Sequence, residues 1–533
     1  MSKAKNRKII YFVISLFAAA MVWWGTARGA GTGGDATIYM SSAENFAAGN
    51  GLGIFSADGT FRLIPYFAPF FPLFLSLFAL LGLDLLVVAK ILNLLLFGAT
   101  IYLVLRTSDE YIEDWRYVIG LGLLLALSPV LNPVFSWAMS EPLSIFLGTF
   151  SIVLILKYFQ SEKLKNLFYL SAILAGFTTL TRYGAIVYPA VVCLLLLFFE
   201  YGKWAKRLGQ AVLYGVIAII PVGIWSAIDI LYTDTVSSRS VNDLSGLLPR
   251  ITSFFGDLKS VLLFWFIPDS WINSPFYPQI INTVFVLFFV LVIIFAAWLL
   301  IKNTKKNRYQ FIFSTMLLLF GILYILMTLV ISLVTYPPIT IGTRMFSPMY
   351  LMAFWLIFFM LYRFSVEIKN KRILNICVFL FMGLMVLWSG FRGMRIIQDN
   401  HQTGLGFQSI SWQTSTLVDF VKELPADQIL VTNEEMAVFA LTERNAYPFA
   451  EVYIDQPLQN FSRYGDAENP SDGEKLFKTQ SAYLVLFDSI NSQFSGIYGD
   501  QADKRLEVLT NGLELVYQAE DGAVYLYPYS IEE

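Results

Sequence analysis

The sequence runs to 533 residues, 56% of them hydrophobic, 16% aromatic and only 14% charged, with a formal net charge of −2. Together with a mean hydropathy of +0.61, this lies outside the range of soluble globular domains and reads as a membrane protein. Two cysteines and one histidine exclude a disulfide framework, a thiolate metal site, His-rich metal chemistry and a Ser-His-Asp triad, and no nucleic-acid partner is expected.

Crossing a hydrocarbon core takes roughly 17 to 25 apolar residues, and about eleven such runs occur. They lie at 9–24, 84–106, 117–133, 142–159, 167–181, 184–201, 209–231, 280–301, 310–334, 346–363 and 373–390. Lys3, Lys5, Arg7 and Lys8 precede the first run, which puts the N-terminus in the cytoplasm. Alternation then brings Lys163 and Lys165, Lys203, Lys206 and Arg207, Lys302, Lys305, Lys306 and Arg308, and Arg363, Lys369, Lys371 and Arg372 to the same side. The acidic loop "TSDEYIEDWR" (107–116) is the exception, and acids weigh little in this rule. An odd number of spans puts the C-terminus outside. The first run is read as a retained anchor rather than a cleaved signal, because Arg28 in "GTARGAG" spoils the small-residue cleavage site.

After the first span comes "GGDATIYMSSAENFAAGNGLG" (33–53). A helix over 35–48 would put Asp35, Tyr39 and Ala43 on one face, a carboxylate beside a phenol, and Asp35 could equally serve as the helix cap. "FRLIPYFAPFFPLFLSLFALLG" (61–82) is apolar but broken by Pro65, Pro69 and Pro72, and is read as a helix lying at the outer interface. Lys90 falls seven residues into the second span and must reach the interface or line a cavity.

The same topology collects Glu141 of "FSWAMSEPL", Arg182 and Tyr183 of "TLTRYGA", Arg239, Arg250 and Arg344 of "TIGTRMFSP" on the outer side. Arginines at span ends also serve as interfacial anchors, and Pro142 could start the fourth span with Glu141 or Ser140 near its cap. The aromatic stretch 264–278 suits an interfacial belt or a substrate-lining loop.

Beyond residue 390 the chain changes character. Residues 400–533 hold 21 acidic and 7 basic side chains and no run able to span a bilayer. Strands are expected at 428–433, 482–488, 513–518 and 523–528, with amphipathic helices at "STLVDFVKEL" and "EEMAVFAL". The expected organisation is a transmembrane domain over 1–390 and an extracytoplasmic soluble α/β domain over 391–533.

No phosphate loop of the P-loop or dinucleotide type follows a strand, and no broken helices repeat in two halves. The order of elements, however, carries a resemblance. A basic start and one span, then D-x3-Y-x3-A with a following Gly-x-Gly, a proline-rich apolar helix, S-E-P-L, T-R-Y and R-x3-P before a late span resemble the GT-C superfamily of membrane glycosyltransferases. The closest branch is the protein-mannosyltransferase-like and aminoarabinose-transferase-like group, similar to glycosyltransferase family 39.

The resemblance implies a polytopic α-helical membrane enzyme that takes a sugar from a polyprenyl (undecaprenyl or dolichyl) phosphate donor. It hands that sugar, with inversion, to an acceptor hydroxyl of a protein, lipid or glycan outside a prokaryotic cell membrane. It also implies that Asp35 is the catalytic base and Glu141 a second catalytic acid. The chemistry asks for such a set independently, since a lipid phosphate is already a good leaving group and needs one base plus cations. Arg344 and Arg182 suit the phosphate, with Lys90, Tyr39 and Tyr183 as further substrate-binding candidates. The residues and the resemblance name no certain cofactor, and whether Asp35 and Glu141 share a divalent metal is left open. The competing readings are a transporter or flippase of a lipid-linked or small polar substrate, and a receptor whose function sits in the outer domain.

Overall fold

The structure, a computed structural model, describes the chain except residues 1, 58, 65–66, 162–163, 201, 234–239, 242–246, 273, 275–307, 337–338, 340, 368–371, 450–481 and 527–533. The expected span 280–301, the loop residues Lys163, Lys302, Lys305, Lys306, Lys369 and Lys371, and Arg239 lie outside the described residues. The chain divides into two compact units, Met1–Ala30 with Pro65–Gln402, and Gly31–Ile64 with Thr403–Glu533.

In chain order the described helices before the C-terminal region are α1 (Ser2–Gly25), α2 (Gly34–Ala47), α3 (Phe70–Ala79), α4 (Leu85–Tyr111), α5 (Trp115–Ala126), α6 (Leu131–Ser136), α7 (Glu141–Gln160) and α8 (Lys165–Thr181). There follow α9 (Val187–Phe199), α10 (Trp204–Thr233), α11 (Leu247–Phe264), α12 (Asp269–Ile272), α13 (Arg308–Val334), α14 (Ser347–Glu367) and α15 (Arg372–Thr403). Seven helices among the described residues (α1, α4, α7, α10, α13, α14 and α15) are long and apolar enough to cross a membrane, and shorter apolar helices accompany them. The protein is an integral membrane protein with multiple helical spans.

Local chemistry sets the helix ends. Asp84 caps α4, its carboxylate accepting from the Leu86 and Val87 amides at 2.8 and 3.2 Å. Pro142 sits in the first turn of α7, where its missing N–H costs nothing.

The expected span 117–133 is instead two pieces, α5 and α6. Pro129 cannot donate, and the Ser128 hydroxyl accepts from the Val130 and Leu131 amides at 3.1 and 3.0 Å while the Asn132 amide donates to Ala126 O at 2.8 Å. These side chains satisfy backbone groups freed deep in apolar surroundings, which is what allows the break. The segment 61–82 is likewise shorter in helix than its hydropathy suggests, forming a strand at Phe61–Leu63 and then the ten-residue α3.

Close approach between helices depends on small residues. A Cβ on Gly176 of α8 would lie 2.8 Å from the Ala218 carbonyl of α10, and one on Gly148 of α7 would lie 2.3 Å from the Tyr188 ring of α9. Where hydrocarbon surrounds the helices, such packing is a main source of cohesion.

Polar contacts sort the helix ends of this unit into two groups. At one, Arg7 meets Asp109 at 3.1 Å, Gln160 donates to the Tyr111 hydroxyl, Arg308 donates to Phe199 O, Gln310 donates to Tyr111 O and Arg363 donates to Gln310. This is the end to which Arg7, Arg308 and Arg363 were assigned together. At the other, Lys90 lies over the Trp23 ring, Asn93 donates to Trp137 O, and His401 stacks on Trp24.

The second unit holds a five-stranded mixed sheet of β5 (Leu430–Thr432), β6 (Tyr447–Pro448), β7 (Tyr483–Phe487), β8 (Glu514–Ala519) and β9 (Gly522–Leu526), after the small β1 (Gly53–Phe55), β2 (Phe61–Leu63), β3 (Ser240–Val241) and β4 (Thr335–Tyr336) earlier in the chain. Its order is β6-β5-β7-β9-β8, with β5 parallel to both neighbours and β9 antiparallel to β7 and β8. Apolar clusters cover both faces, one built on Leu484 and Phe494, the other on Leu417 and Val485. The four strands and two amphipathic helices expected here all occur, the helices as Thr416–Glu423 and Glu435–Thr442.

The segment carrying α2 folds with this sheet. Thr32 bridges to Gly406, the Phe407 amide donates to Thr32 O at 3.0 Å, and α2 packs on the Glu435–Thr442 helix.

Candidate active site

A charged cluster in the membrane unit is built on Glu141. Its carboxylate opens α7 and is 2% exposed, and Oε1 lies 2.6 Å from Arg182 Nη1 and 3.0 Å from Arg344 Nε. Both contacts are ion pairs by distance, yet neither carboxylate oxygen receives a well-aligned hydrogen bond from the described residues. Attraction between opposite charges does not need that alignment, so we read the contact as electrostatic.

The two arginines arrive from fixed backbones. Arg182 stands in extended conformation between α8 and a short 3-10 turn, its amide donating to Thr178 O at 3.1 Å and its carbonyl accepting from Ala185 at 2.8 Å. Arg344 sits in the turn before α14, where Ser347 Oγ donates to its carbonyl at 2.7 Å and the Tyr324 hydroxyl donates to Met345 O at 2.5 Å. The guanidiniums retain accessible surface, 29% and 47% of their side chains, while the carboxylate between them has almost none. One buried negative charge under two partly open positive ones gives a net cationic patch.

Lys90 is placed near the start of α4 with Nζ 4.3 Å from the Trp23 ring centroid, a cation–π contact. Tyr183 directly follows Arg182, and its hydroxyl is 3.5 Å from Phe67 O, a long contact. Asp229, 5% exposed near the end of α10, lies within electrostatic reach of Tyr183. Arg250 donates to Leu333 O at 3.5 Å, a long contact.

Asp35 and Tyr39 belong to the other unit, on α2. Gly33 is the N-cap and Asp35 lies in the first turn, so the carboxylate is not the capping residue; it stands where the positive end of the helix dipole favours an acid. Tyr39 and Ala43 follow on the same face and are buried, with Asp35 half-buried.

One contributor escaped the sequence reading. Asn93 lies three residues beyond Lys90, is 1% exposed, and ties α4 to the loop leading to Glu141 through Trp137 O at 2.6 Å. Its signal was an amide inside an otherwise apolar span. The chain's one histidine, His401, occupies the last turn of α15 and stacks on Trp24 at 4.1 Å. Among the described residues no three His, Cys, Asp or Glu side chains group closely enough to hold a metal ion.

No protein-family model matches this chain, and no curated protein sequence matches it. Solved structures do. ArnT from Cupriavidus metallidurans, solved bound to undecaprenyl phosphate, is 13% identical and superposes with a TM-score of 0.57 over 98% of both chains. The oligosaccharyltransferase AglB from Archaeoglobus fulgidus, in complex with an inhibitory peptide and a dolichol-phosphate, is 12% identical with a TM-score of 0.51, covering 98% of this chain and 74% of its own. The chain has the GT-C fold. At this identity the likeness establishes architecture, and the residues that a GT-C fold would use must be argued from this chain's own chemistry.

Proposed function

We propose that this protein is a glycosyltransferase that moves a sugar from a polyprenyl phosphate carrier to an acceptor hydroxyl on the outer face of the membrane, with inversion. The observation that carries the reading is the pair of partly accessible arginines, Arg182 and Arg344, converging at one end of a GT-C bundle. A phosphate leaving group needs stable positive charge, and arginine supplies it in a planar fork that two oxygens can accept. Those ArnT and AglB structures held undecaprenyl phosphate and dolichol-phosphate, which supports the same donor class here.

In this reading Asp35 takes the proton from the acceptor hydroxyl as it attacks the anomeric carbon, and the bond from that carbon to the phosphate oxygen breaks in the same displacement. Arg182 and Arg344 neutralise the departing phosphate, Lys90 adds a further cation, and Tyr39 and Tyr183 line the substrate. The spans within residues 1–390 make up the membrane domain, and 391–533 carry an extracytoplasmic domain with which Gly31–Ile64 folds. The basic N-terminus and basic loops face the cytoplasm.

The test is transfer of radiolabelled sugar from a panel of polyprenyl phosphate donors in membranes bearing wild type or Asp35→Asn, matched for folded protein. Wild type transfers and Asp35→Asn loses transfer by about a hundredfold or more, the size expected for a general base. Equal transfer by both removes Asp35 from the chemistry. No transfer from any donor, with a labelled lipid changing leaflet instead, replaces the enzyme with a flippase.

A further inference from the structure

A general base must reach the proton it takes, and Glu141 is poorly placed for that. Its side chain is 2% exposed, and the oxygen nearest the guanidiniums already lies within 3.0 Å of both. What it is well placed to do is hold two like charges together. Arg182 and Arg344 come from elements far apart in sequence, and without an anion between them their guanidiniums repel and separate. Arginine stays charged at any working pH, so both jaws carry their charge throughout.

Resting on the donor class proposed above, we propose that Glu141 is a positioning residue. Its buried carboxylate locks Arg182 and Arg344 into one cationic clamp for the carrier's phosphate, and it takes no proton from the acceptor. This separates the two acids expected from sequence, with proton transfer assigned to Asp35 alone. The fixed backbones of both arginines support the assignment, since a clamp needs its jaws set before the phosphate arrives. The burial does too: a carboxylate out of water interacts more strongly with its cations than an exposed one.

The experiment measures binding of undecaprenyl phosphate and dolichyl phosphate to the purified full-length chain, with transfer kinetics alongside. The variants are Glu141→Gln and Glu141→Asp, each in the wild-type background and in an Arg182→Gln/Arg344→Gln background, with elution profile and thermal unfolding confirming folded protein. Expected is an affinity about tenfold or more weaker for Glu141→Gln, in line with loss of a charge-assisted contact, and partial recovery with Glu141→Asp. In the double-arginine background the same change at Glu141 has no further effect on binding, because a positioning residue acts only through what it positions. The acid limb of the pH profile of turnover stays unchanged in Glu141→Gln.

Wild-type affinity in Glu141→Gln together with a lost acid limb would overturn the proposal and make Glu141 a base. An equal loss of affinity in both backgrounds would overturn it in favour of a general structural role. If wild type binds neither carrier phosphate, the donor reading itself fails and this inference falls with it. If Glu141→Gln does not fold, Glu141→Asp against the double-arginine background gives the same three readings.

Discussion

At the scale of single residues, charge placement decides more than charge identity. Arg182 and Arg344 share a nearly buried carboxylate while their own guanidiniums stay partly accessible, so the charge this cluster exposes is positive. Arg344→Lys keeps that charge but loses the fork, and donor KM should rise about tenfold with a smaller change in kcat, as steady-state transfer assays would show. Lys90→Met keeps the stem that covers Trp23 but removes the cation–π contact, and should weaken carrier binding by a smaller factor, about threefold, read in the same binding assay. Gathering Glu141, Arg182 and Arg344 at one end was legible in the sequence, because alternation of spans fixes which termini are neighbours. Their mutual contact was not, since Glu141 to Arg344 is a matter of helix rotation and side-chain reach, neither of which hydropathy encodes. Asp35 gives the opposite lesson: capping was a fair expectation for an acid after glycines, yet Gly33 takes the cap and leaves Asp35 inside the first turn.

At the scale of elements, hydropathy reads length well and interruption poorly. The runs at 84–106, 142–159, 310–334 and 346–363 became α4, α7, α13 and α14 with ends shifted by only a few residues, whereas 117–133 broke at Ser128 and Pro129 without losing apolar character. The warning was present in Pro129, Asn132 and Pro133, but apolar averages count their neighbours. Helix contacts made through glycine are equally silent in a hydropathy profile. Gly148→Ala forces a methyl into the Tyr188 ring and should lower stability by about 1–3 kcal/mol, measured as an earlier thermal unfolding midpoint in detergent with unchanged donor KM in the fraction that remains folded. Gly209 of α10 has open space around its missing Cβ, so Gly209→Ala is the matched control and should unfold no earlier than wild type.

At the scale of the whole molecule, the two ends of the membrane unit make topology testable. With Cys193 and Cys377 replaced by serine, a cysteine at Lys206→Cys should react with a membrane-impermeant maleimide only after cells are opened, and one at Ser492→Cys should react in intact cells. Labelling of Lys206→Cys in intact cells would reverse the orientation. The C-terminal sheet was legible because its central strands are short apolar runs and the Thr416–Glu423 helix buries one face through Leu417, Val418 and Val421. The membership of Gly31–Ile64 in that unit was not, because Thr32 and Gly406 carry no local signal for each other. That pairing imposes an order on biosynthesis. The ribosome delivers Asp35 near the beginning and Gly406 near the end, so at about 5–20 residues per second α2 waits on the order of tens of seconds for the sheet it packs against. A nascent chain stalled before residue 403 can insert most of its spans, yet α2 has no sheet unit to fold with until the last strands are made.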